Sequence, residues 1–192
     1  MSQPTVDQLF DLRGRVALIT GGSGWLGAAM ATALAEAGAN VVVASRDAGR
    51  AEQAATALPT DHGNAHSSVV IDQLDQASIR RGFDDAVQVA GAVDILINNG
   101  HAGDSHDLTN LDAESFNRVL SNATGWFLLA RCLRDHVVQR GVGGSIVNIG
   151  SMYGQVGSYP DTYDGVCPAS PVSYHTLKGG ILQMTRHLAV YW

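Results

Sequence analysis

Short apolar runs and longer amphipathic segments alternate along the chain, and their lengths predict alternating strands and helices. Five runs of four to six mostly apolar residues are typical of strands buried on both faces of a parallel sheet. These predicted strands span residues 15–20, 40–45, 68–71, 93–98 and 144–149. Segments with helical spacing of apolar residues lie between and after them, at about 25–39, 48–58, 75–90, 112–139 and 172–192. The pattern indicates an α/β fold with a doubly wound parallel sheet in three α/β/α layers and right-handed crossovers.

Length and composition predict one globular domain spanning residues 1–192. Hydrophobic residues make up 45% of the chain and charged residues 16%, which excludes a disordered or fibrous protein. A net charge of −6, without any cluster of Lys and Arg, argues against nucleic acid as a partner. No apolar stretch reaches the ~18 residues of a membrane span, and residues 1–12 do not look like a secretory signal. We therefore expect a cytoplasmic protein that binds neither nucleic acid nor a membrane.

The sequence offers no convincing metal or hydrolase site. Cys132 and Cys167 match no metal-ligand spacing and are expected to be free thiols, although the sequence leaves a disulfide open. His62 and His66 surround Gly63-Asn64 in a predicted loop, so we do not interpret them as metal ligands. No serine stands in the Gly-x-Ser-x-Gly turn of a hydrolase.

A glycine-rich loop joins the first predicted strand to the first long helix, in Thr20-Gly21-Gly22-Ser23-Gly24-Trp25-Leu26-Gly27. Glycines let the backbone approach a pyrophosphate, and a helix N-terminus presents free amides and partial positive charge. A tight strand–helix turn could use the same glycines, but the position between a buried strand and an Ala-rich helix favours a dinucleotide site and a Rossmann fold. We assign cofactor contacts in this loop to Gly21, Ser23, Gly24, Trp25, Leu26 and Gly27.

The end of the second predicted strand indicates which dinucleotide binds. An acidic residue there would bind the ribose hydroxyls of NAD, whereas an arginine can neutralise the 2′-phosphate of NADP. The chain has Ser45 where the acid is usual, followed by Arg46, which favours NADP(H). Asp47 could still reach the ribose, so NAD(H) remains possible.

Polar residues after the third and fourth predicted strands extend the expected cofactor site. Asp72 could accept a hydrogen bond from the adenine amino group or simply close a turn. Asn98-Asn99-Gly100 lets the backbone run beneath the adenosine half of the cofactor, although paired Asn before Gly is also ordinary turn chemistry. We assign further cofactor contacts to Asp72, Asn98 and Gly100.

Lys178 is the only lysine of the chain, beside eleven arginines, and it follows Tyr174 by four residues. Residues i and i+4 share a helix face, so the ammonium is expected beside the phenol. A nearby cation favours the phenolate form, which makes Tyr174 a candidate general acid or base. Taken alone, the pair could also be two surface residues of one helix.

Together these segments resemble the short-chain dehydrogenase/reductase family, from about Leu9 to the last residue. The resemblance rests on five motifs in the family's order: residues 20–27, Asn98-Asn99-Gly100, Asn122, Ile149-Gly150-Ser151 and Tyr174-x-x-x-Lys178. Residues 9–20 are also similar to the opening of members that act on sugar acids, such as gluconate 5-dehydrogenases.

The resemblance implies a role for each of four residues. Tyr174 would exchange a proton with the substrate oxygen, and Lys178 would favour the phenolate and bind the nicotinamide ribose. Ser151 would stabilise charge that develops on the substrate oxygen. Asn122 would anchor a water in a proton relay through Lys178. The resemblance further implies a small-molecule substrate, no metal, and a homodimer or homotetramer formed through the two long helices that carry Asn122 and Tyr174.

The chain departs from the family pattern at four places. The glycine spacing T-G-x-x-G-x-x-G is more typical of the longer members, which include nucleotide-sugar epimerases and dehydratases. His101 stands where a glycine is usual; it could touch the cofactor or the substrate, but we expect it to face solvent. Residues 155–171 form an insertion, which could be a wall over the substrate or a surface or subunit-contact loop. Finally, the chain stops at Trp192 inside a predicted helix, which we interpret as a longer chain cut short.

Three hypotheses follow from the sequence. The first is an NADP(H)-preferring dehydrogenase or reductase for a small alcohol or carbonyl compound, such as a sugar acid or polyol. The second is a nucleotide-sugar epimerase or dehydratase, which the glycine spacing suggests. The third is a cofactor-binding regulatory protein without turnover, against which the intact residues Asn122, Ser151, Tyr174 and Lys178 weigh.

Overall fold

The computed structural model describes residues 3–106, 108–167 and 170–192, and these build on a five-stranded parallel sheet. The strand order is β3-β2-β1-β4-β5, and every neighbouring pair is parallel. The sheet and its helices confirm the predicted doubly wound α/β fold. The strands are β1 (Val16–Thr20), β2 (Asn40–Ser45), β3 (Ser67–Val70), β4 (Ile95–Asn98) and β5 (Ser145–Asn148).

The helices begin and end close to their predicted positions. The five long ones are α2 (Trp25–Glu36), α3 (Ala48–Thr56), α4 (Gln76–Ala90), α5 (Ala113–Arg140) and α6 (Val172–Tyr191). Three short elements were not predicted: α1 (Val6–Leu9) and the 3-10 helices Met152–Gly154 and Pro160–Thr162. A capping box formed by Thr5 and Gln8 stabilises the N-terminus of α1. The helix is too short to show a hydrophobic period. Within the described ranges, no helix has the length and apolar composition needed to cross a membrane.

Both faces of the central strands are buried, because helices cover the sheet on two sides. On one face, alternate strand residues such as Leu18 and Leu96 pack against α4 and α5. On the other face, the residues between them, such as Ile19 and Val43, pack against α2 and α3. This packing explains why the strands read as continuous apolar runs rather than as alternating ones. A third cluster joins α5 to α6 through Trp126, Leu177 and Ile181.

The order of the strands reverses between β1 and β4, and this reversal opens a crevice at their carboxyl ends. The register pairs Ile19 with Ile97, so the loop after β1 and the loop after β4 begin side by side. Ligands of doubly wound sheets bind at such a switch point. The topology therefore brings residues 20–27 and 99–103 to one edge of the sheet.

Gly125 lets α5 approach the segment that follows β3. A Cβ atom at this position would lie 2.1 Å from the carbonyl oxygen of Gln73, far inside van der Waals contact. The missing side chain therefore sets the distance between α5 and the loop after β3. A glycine in the middle of a helix ordinarily costs stability, so its presence in α5 is explained by packing.

We expect Gly125→Ala to destabilise the protein by roughly 2 kcal/mol or more, because the new methyl group overlaps the Gln73 carbonyl. Gly49→Ala in α3 is the matched control, since its Cβ would meet nothing closer than 3.5 Å. That control should stabilise the protein by about 0.5–1 kcal/mol through helix propensity. Urea unfolding measures both changes, and a stabilising Gly125→Ala would contradict the proposed close approach.

Candidate active site

A cleft of about 600 Å³ opens at the carboxyl ends of β1, β2, β3 and β4. Ten of the predicted cofactor contacts line it: Gly21, Ser23, Gly24, Trp25, Leu26, Gly27, Ser45, Arg46, Asp72 and Gly100. Other residues of its lining were not assigned to the cofactor from the sequence, among them Thr20, Arg50, Gln73, Asn99, His101 and Ala102. The cleft therefore brings together residues from the carboxyl ends of four strands, β1 to β4.

The glycine loop is shaped to bring backbone amides into this cleft. Gly24 is the N-cap of α2 and supplies no side-chain cap, so the first amides of the helix are left for another partner. A Cβ at Gly27 would lie 2.0 Å from the Gly21 carbonyl oxygen, so only glycine permits the turn. Trp25 is the first residue of α2 and its side chain is 93% exposed. The loop thus fits the pyrophosphate of a dinucleotide.

Asn99 and Thr20 tie the glycine loop to the end of β4. The Asn99 amide donates hydrogen bonds to the carbonyl oxygens of Thr20, at 3.1 Å, and Gly21, at 3.2 Å. The buried Thr20 hydroxyl accepts from the backbone amides of Asn99 and Gly100. These bonds fix the floor of the cleft, where the sequence predicted the backbone to run beneath the cofactor.

Two arginines stand at the end of the cleft beside β2. Arg46 was predicted there, and Arg50 joins it from the first turn of α3. Asp47 is the N-cap of α3, and its carboxylate accepts from the Arg50 backbone amide at 2.9 Å. The carboxylate that could have bound a ribose is thus engaged in capping the helix. Asp72 likewise closes a turn, with Oδ1 accepting from the Leu74 amide.

Lys178 is buried, with only 3% of its surface exposed. Its Nζ donates a 2.6 Å hydrogen bond to the carbonyl oxygen of Ile149, at the end of β5. The same atom lies 4.7 Å from the ring centroid of Trp126 and 5.5 Å from that of Tyr174. Burial lowers the pKa of Lys178 to about 8, because water no longer solvates the ammonium. The lysine therefore lies beside the tyrosine, as the helical spacing predicted.

The segment that carries Ser151 packs on the helix that carries Tyr174. Ser151 is the N-cap of the 3-10 helix Met152–Gly154, and its hydroxyl oxygen accepts from the Tyr153 amide at 3.2 Å. The Tyr153 ring stacks on His175, with centroids 4.7 Å apart. A Cβ at Gly154 would lie 2.7 Å from the Lys178 carbonyl oxygen. The backbone of this turn is therefore in close contact with α6. Ser151, Tyr174 and Lys178 thus share one region at the sheet's edge.

Asn122 is fully buried and makes its side-chain hydrogen bonds to protein groups. Its oxygen accepts from Gln73 and from the Ala102 amide, and its nitrogen donates to the carbonyl oxygens of Ala102 and Val119. An amide side chain offers two acceptor and two donor positions, so all four are used. The side chain therefore holds the loop after β4 against α5. A water of the predicted proton relay would have to bind the backbone of Asn122 instead.

Asn98 lies beneath the cleft and is not among the residues that line it. Its side chain is fully buried and donates to the Trp126 carbonyl and to Asn148. Asn98 therefore does not line the cleft itself. Only the residues that follow it, Asn99 and Gly100, do so. Trp126, which the sequence analysis did not single out, donates from its indole nitrogen to the Gly100 carbonyl at 2.9 Å.

His101 is exposed, as expected, but its ring also packs edge-on against Tyr174, with centroids 5.3 Å apart and planes at 84°. It also belongs to the lining of the cleft. The sequence shows that His101 is unusual at this position, but the direction of its side chain cannot be predicted from the sequence.

The insertion at residues 155–171 contacts α6. Ser158 Oγ lies 3.2 Å from Nε2 of His175, next to Tyr174 in sequence. Tyr159 and Val166 are largely exposed, while Pro168 and Ala169 lie outside the described residues. A role as a wall over the substrate therefore stays a prediction.

The two cysteines and the two loop histidines do not line the cleft. Cys132 and Cys167 are both unpaired thiols. His62 contacts the Glu36 carbonyl, and His66 contacts the Val41 amide and the Pro59 carbonyl. No group of three or more His, Cys, Asp or Glu side chains in the described ranges could hold a metal ion.

Comparison with known proteins identifies one family. A family model described as short chain dehydrogenase matches residues 15–192. A 3-oxoacyl-[acyl-carrier-protein] reductase of Aquifex aeolicus is 33% identical over 184 residues, which is 93% of this chain and 68% of the relative. A D-threitol dehydrogenase of Mycolicibacterium smegmatis is 31% identical over 189 residues, which is 98% of this chain and 68% of the relative.

A solved structure shows the same arrangement of the chain. A gluconate 5-dehydrogenase from Burkholderia cenocepacia, determined in complex with NADP and tartrate, superposes with a TM-score of 0.82 at 29% identity. The match covers 95% of this chain and 68% of that one. This chain therefore spans about two thirds of the length of these three proteins.

The buried ammonium predicts a specific dependence of stability on pH. The pKa of Lys178 is about 8 in the folded state against 10.5 unfolded, so the unfolded chain binds more protons between these values. The free energy of unfolding should therefore carry a contribution from Lys178 that rises by about 3 kcal/mol between pH 8 and 10.5. Below pH 8 both states are protonated and the cost of burial is present in full.

Urea unfolding of the wild type and Lys178→Met across this range measures that contribution. The difference in stability between the two proteins should change by about 3 kcal/mol, because methionine does not titrate. Arg186→Met, an exposed change on the same helix, is the control and should keep the wild-type profile. Parallel profiles for the wild type and Lys178→Met would contradict the lowered pKa.

Proposed function

The chain belongs to the short-chain dehydrogenase/reductase family and is an NAD(P)-dependent oxidoreductase, and on this premise we propose that it interconverts a small alcohol and its carbonyl compound with NADP(H). The observation that carries the proposal is the buried Lys178 beside Tyr174, next to a cleft with a glycine-rich helix N-terminus. A buried cation is costly, so a fold that keeps one next to a phenol favours a chemical role for the pair.

The cleft fits a dinucleotide because glycines at positions 21, 24, 27 and 100 leave part of its lining without side chains. The glycine loop would hold the pyrophosphate through the amides at the start of α2. When bound, the nicotinamide supplies or accepts the hydride, and the protein contributes position and electrostatics. Tyr174 and Lys178 do not line the cleft, but His101, which does, contacts the Tyr174 ring, so the pair would face the nicotinamide half.

Tyr174 would donate its proton to the substrate oxygen during reduction and remove it during oxidation. The Lys178 ammonium would stabilise the phenolate that this transfer leaves behind. Ser151 would donate its hydroxyl proton to the same substrate oxygen, because its oxygen already accepts from the Tyr153 amide and the proton remains available.

A proton relay through Asn122 would have to use its backbone carbonyl. All four hydrogen-bonding positions of its side chain are engaged with protein groups. We propose that this side chain instead fixes the position of the loop after β4 relative to α5. A water could then approach the backbone carbonyl of Asn122.

The two arginines support a preference for NADP(H). Arg46 and Arg50 line the cleft end where the adenosine ribose of a dinucleotide belongs. Asp47, the acidic residue nearby, is engaged as a helix cap and would not compete with a 2′-phosphate. Guanidinium groups match phosphate geometry, so the pair would discriminate NADP(H) from NAD(H).

We propose a polyol or sugar acid as the substrate. The D-threitol dehydrogenase and the gluconate 5-dehydrogenase among the similar proteins support this class. The alternative of a nucleotide-sugar epimerase or dehydratase rests on the glycine spacing alone, and here that spacing places Gly24 as the N-cap of α2. We also propose a cytoplasmic homodimer or homotetramer assembled through α5 and α6.

Tyr174→Phe should lower kcat at least 100-fold, because the variant has no proton to exchange with the substrate oxygen. The dissociation constant for NADPH, followed by its fluorescence, should change less than about twofold. Tyr191→Phe, at a residue that is 77% exposed, is the control and should keep full activity. Equal turnover in Tyr174→Phe and the wild type would remove Tyr174 from the chemistry.

Arg46→Ala and Arg50→Ala should each weaken NADPH binding about tenfold or more while changing NADH binding less than twofold, because each removes a charged hydrogen bond to the 2′-phosphate. Arg81→Ala, on the exposed face of α4, should change neither. Titration of both cofactors by fluorescence gives the comparison. Equal weakening of NADPH and NADH would refute the phosphate role.

A further inference from the structure

His101 lies where the cofactor cleft meets Tyr174. Its ring lines the same cleft as the glycine loop and packs edge-on against the Tyr174 ring at 5.3 Å. A Cβ at Gly103 would lie 3.3 Å from the imidazole, so the ring is held over the backbone of its own loop. The edge-on contact with Tyr174 fixes the ring on its other side.

The two ring nitrogens of His101 have no hydrogen-bond partner among residues 3–106, 108–167 and 170–192. Other histidines of the chain are engaged: His66 with two backbone groups, His136 with the Val93 amide, and His175 with Ser158. His101 therefore offers an acceptor and a donor to whatever occupies the cleft next to Tyr174.

The surroundings keep this imidazole neutral. Burial, and then the positive charge of Lys178, lower the pKa of His101 below its usual value of 6.5. Tyr174 and Lys178 are the titratable groups that face it from α6, and the glycine loop 21–24 carries none. On its own loop, Asp104 is paired with His106, and Arg118 of α5 donates to the Gly103 carbonyl.

We propose that His101 is a substrate-contact residue that hydrogen-bonds a hydroxyl group on the carbon next to the reacting carbon. This inference rests on the proposed function and specifies its substrate as a polyhydroxy compound. A neutral imidazole can accept from and donate to a hydroxyl, whereas a carboxylate at that place would call for a cation. Among the cations around the site, Lys178 is bonded to the Ile149 carbonyl and Arg118 to the Gly103 carbonyl, while Arg46 and Arg50 line the cleft beside β2.

A pair of substrates that differ by one hydroxyl tests the contact. We suggest measuring kcat/KM with NADPH for 1-hydroxy-2-butanone and for 2-butanone. In His101→Ala, kcat/KM for the hydroxyketone should fall about three- to tenfold, the worth of one neutral hydrogen bond, and the value for butanone should stay within twofold. His101→Gln should restore most of the loss, because its amide also accepts and donates.

His187→Ala is the matched control and should change neither substrate, since this side chain stacks on Tyr191 near the end of α6. Equal losses for both ketones in His101→Ala would show that the ring only packs against Tyr174 and would overturn the proposal. An unchanged ratio in every His101 variant would overturn it as well.

A binding measurement separates this inference from the proposed function. In protein labelled with ¹⁵N-histidine, the His101 ring signals are assigned by their loss in His101→Gln and followed during titration with D-threitol in the presence of NADP⁺. A shift of these signals on titration supports the contact even without turnover, and unmoved signals overturn it. Absence of turnover with every alcohol and ketone would instead refute the proposed oxidoreductase chemistry.

Discussion

The burial of one ammonium group constrains the whole arrangement of the site. Removing the Lys178 charge from water costs several kcal/mol, and the 2.6 Å bond to the Ile149 carbonyl and the faces of two aromatic rings offset part of that cost. These partners come from β5, α5 and α6, so the lysine is held only when all three are assembled. The indole of Trp126 also donates to the Gly100 carbonyl, which connects the lysine's surroundings to the loop after β4.

Close backbone approach is the second constraint, and it acts at the opposite end of the cleft. Gly27 brings α2 onto the Gly21 carbonyl, and Gly125 brings α5 onto the Gln73 carbonyl. Asn99 then joins the two halves by bonding the glycine loop from the end of β4. The glycine-rich lining of the cleft and the charged, aromatic surroundings of Tyr174 therefore come from separate parts of the sequence, and the topology of the sheet brings them together.

The sequence predicted the fold and the position of the site well, because both depend on patterns along the chain. Strands buried on two faces produce continuous apolar runs, and residues that follow such strands must meet at one edge of the sheet. Side-chain direction could not be predicted in the same way. Asn98 and Asn122 match motif positions but are buried and hydrogen-bonded to protein groups, and the exposed His101 also contacts the Tyr174 ring. The capping box of α1 and the turn at Met152–Gly154 are too short to leave a period.

The bond between Lys178 and Ile149 also makes strand β5 part of the chemical apparatus. The Ile149 amide, directly after β5, donates to the Asn98 carbonyl at the end of β4, so the position of the Ile149 carbonyl depends on the pairing of these two strands. Loss of that pairing would move the carbonyl that holds the ammonium and would shift the charge relative to the phenol. Amide hydrogen exchange at Ile149 would report on such an opening.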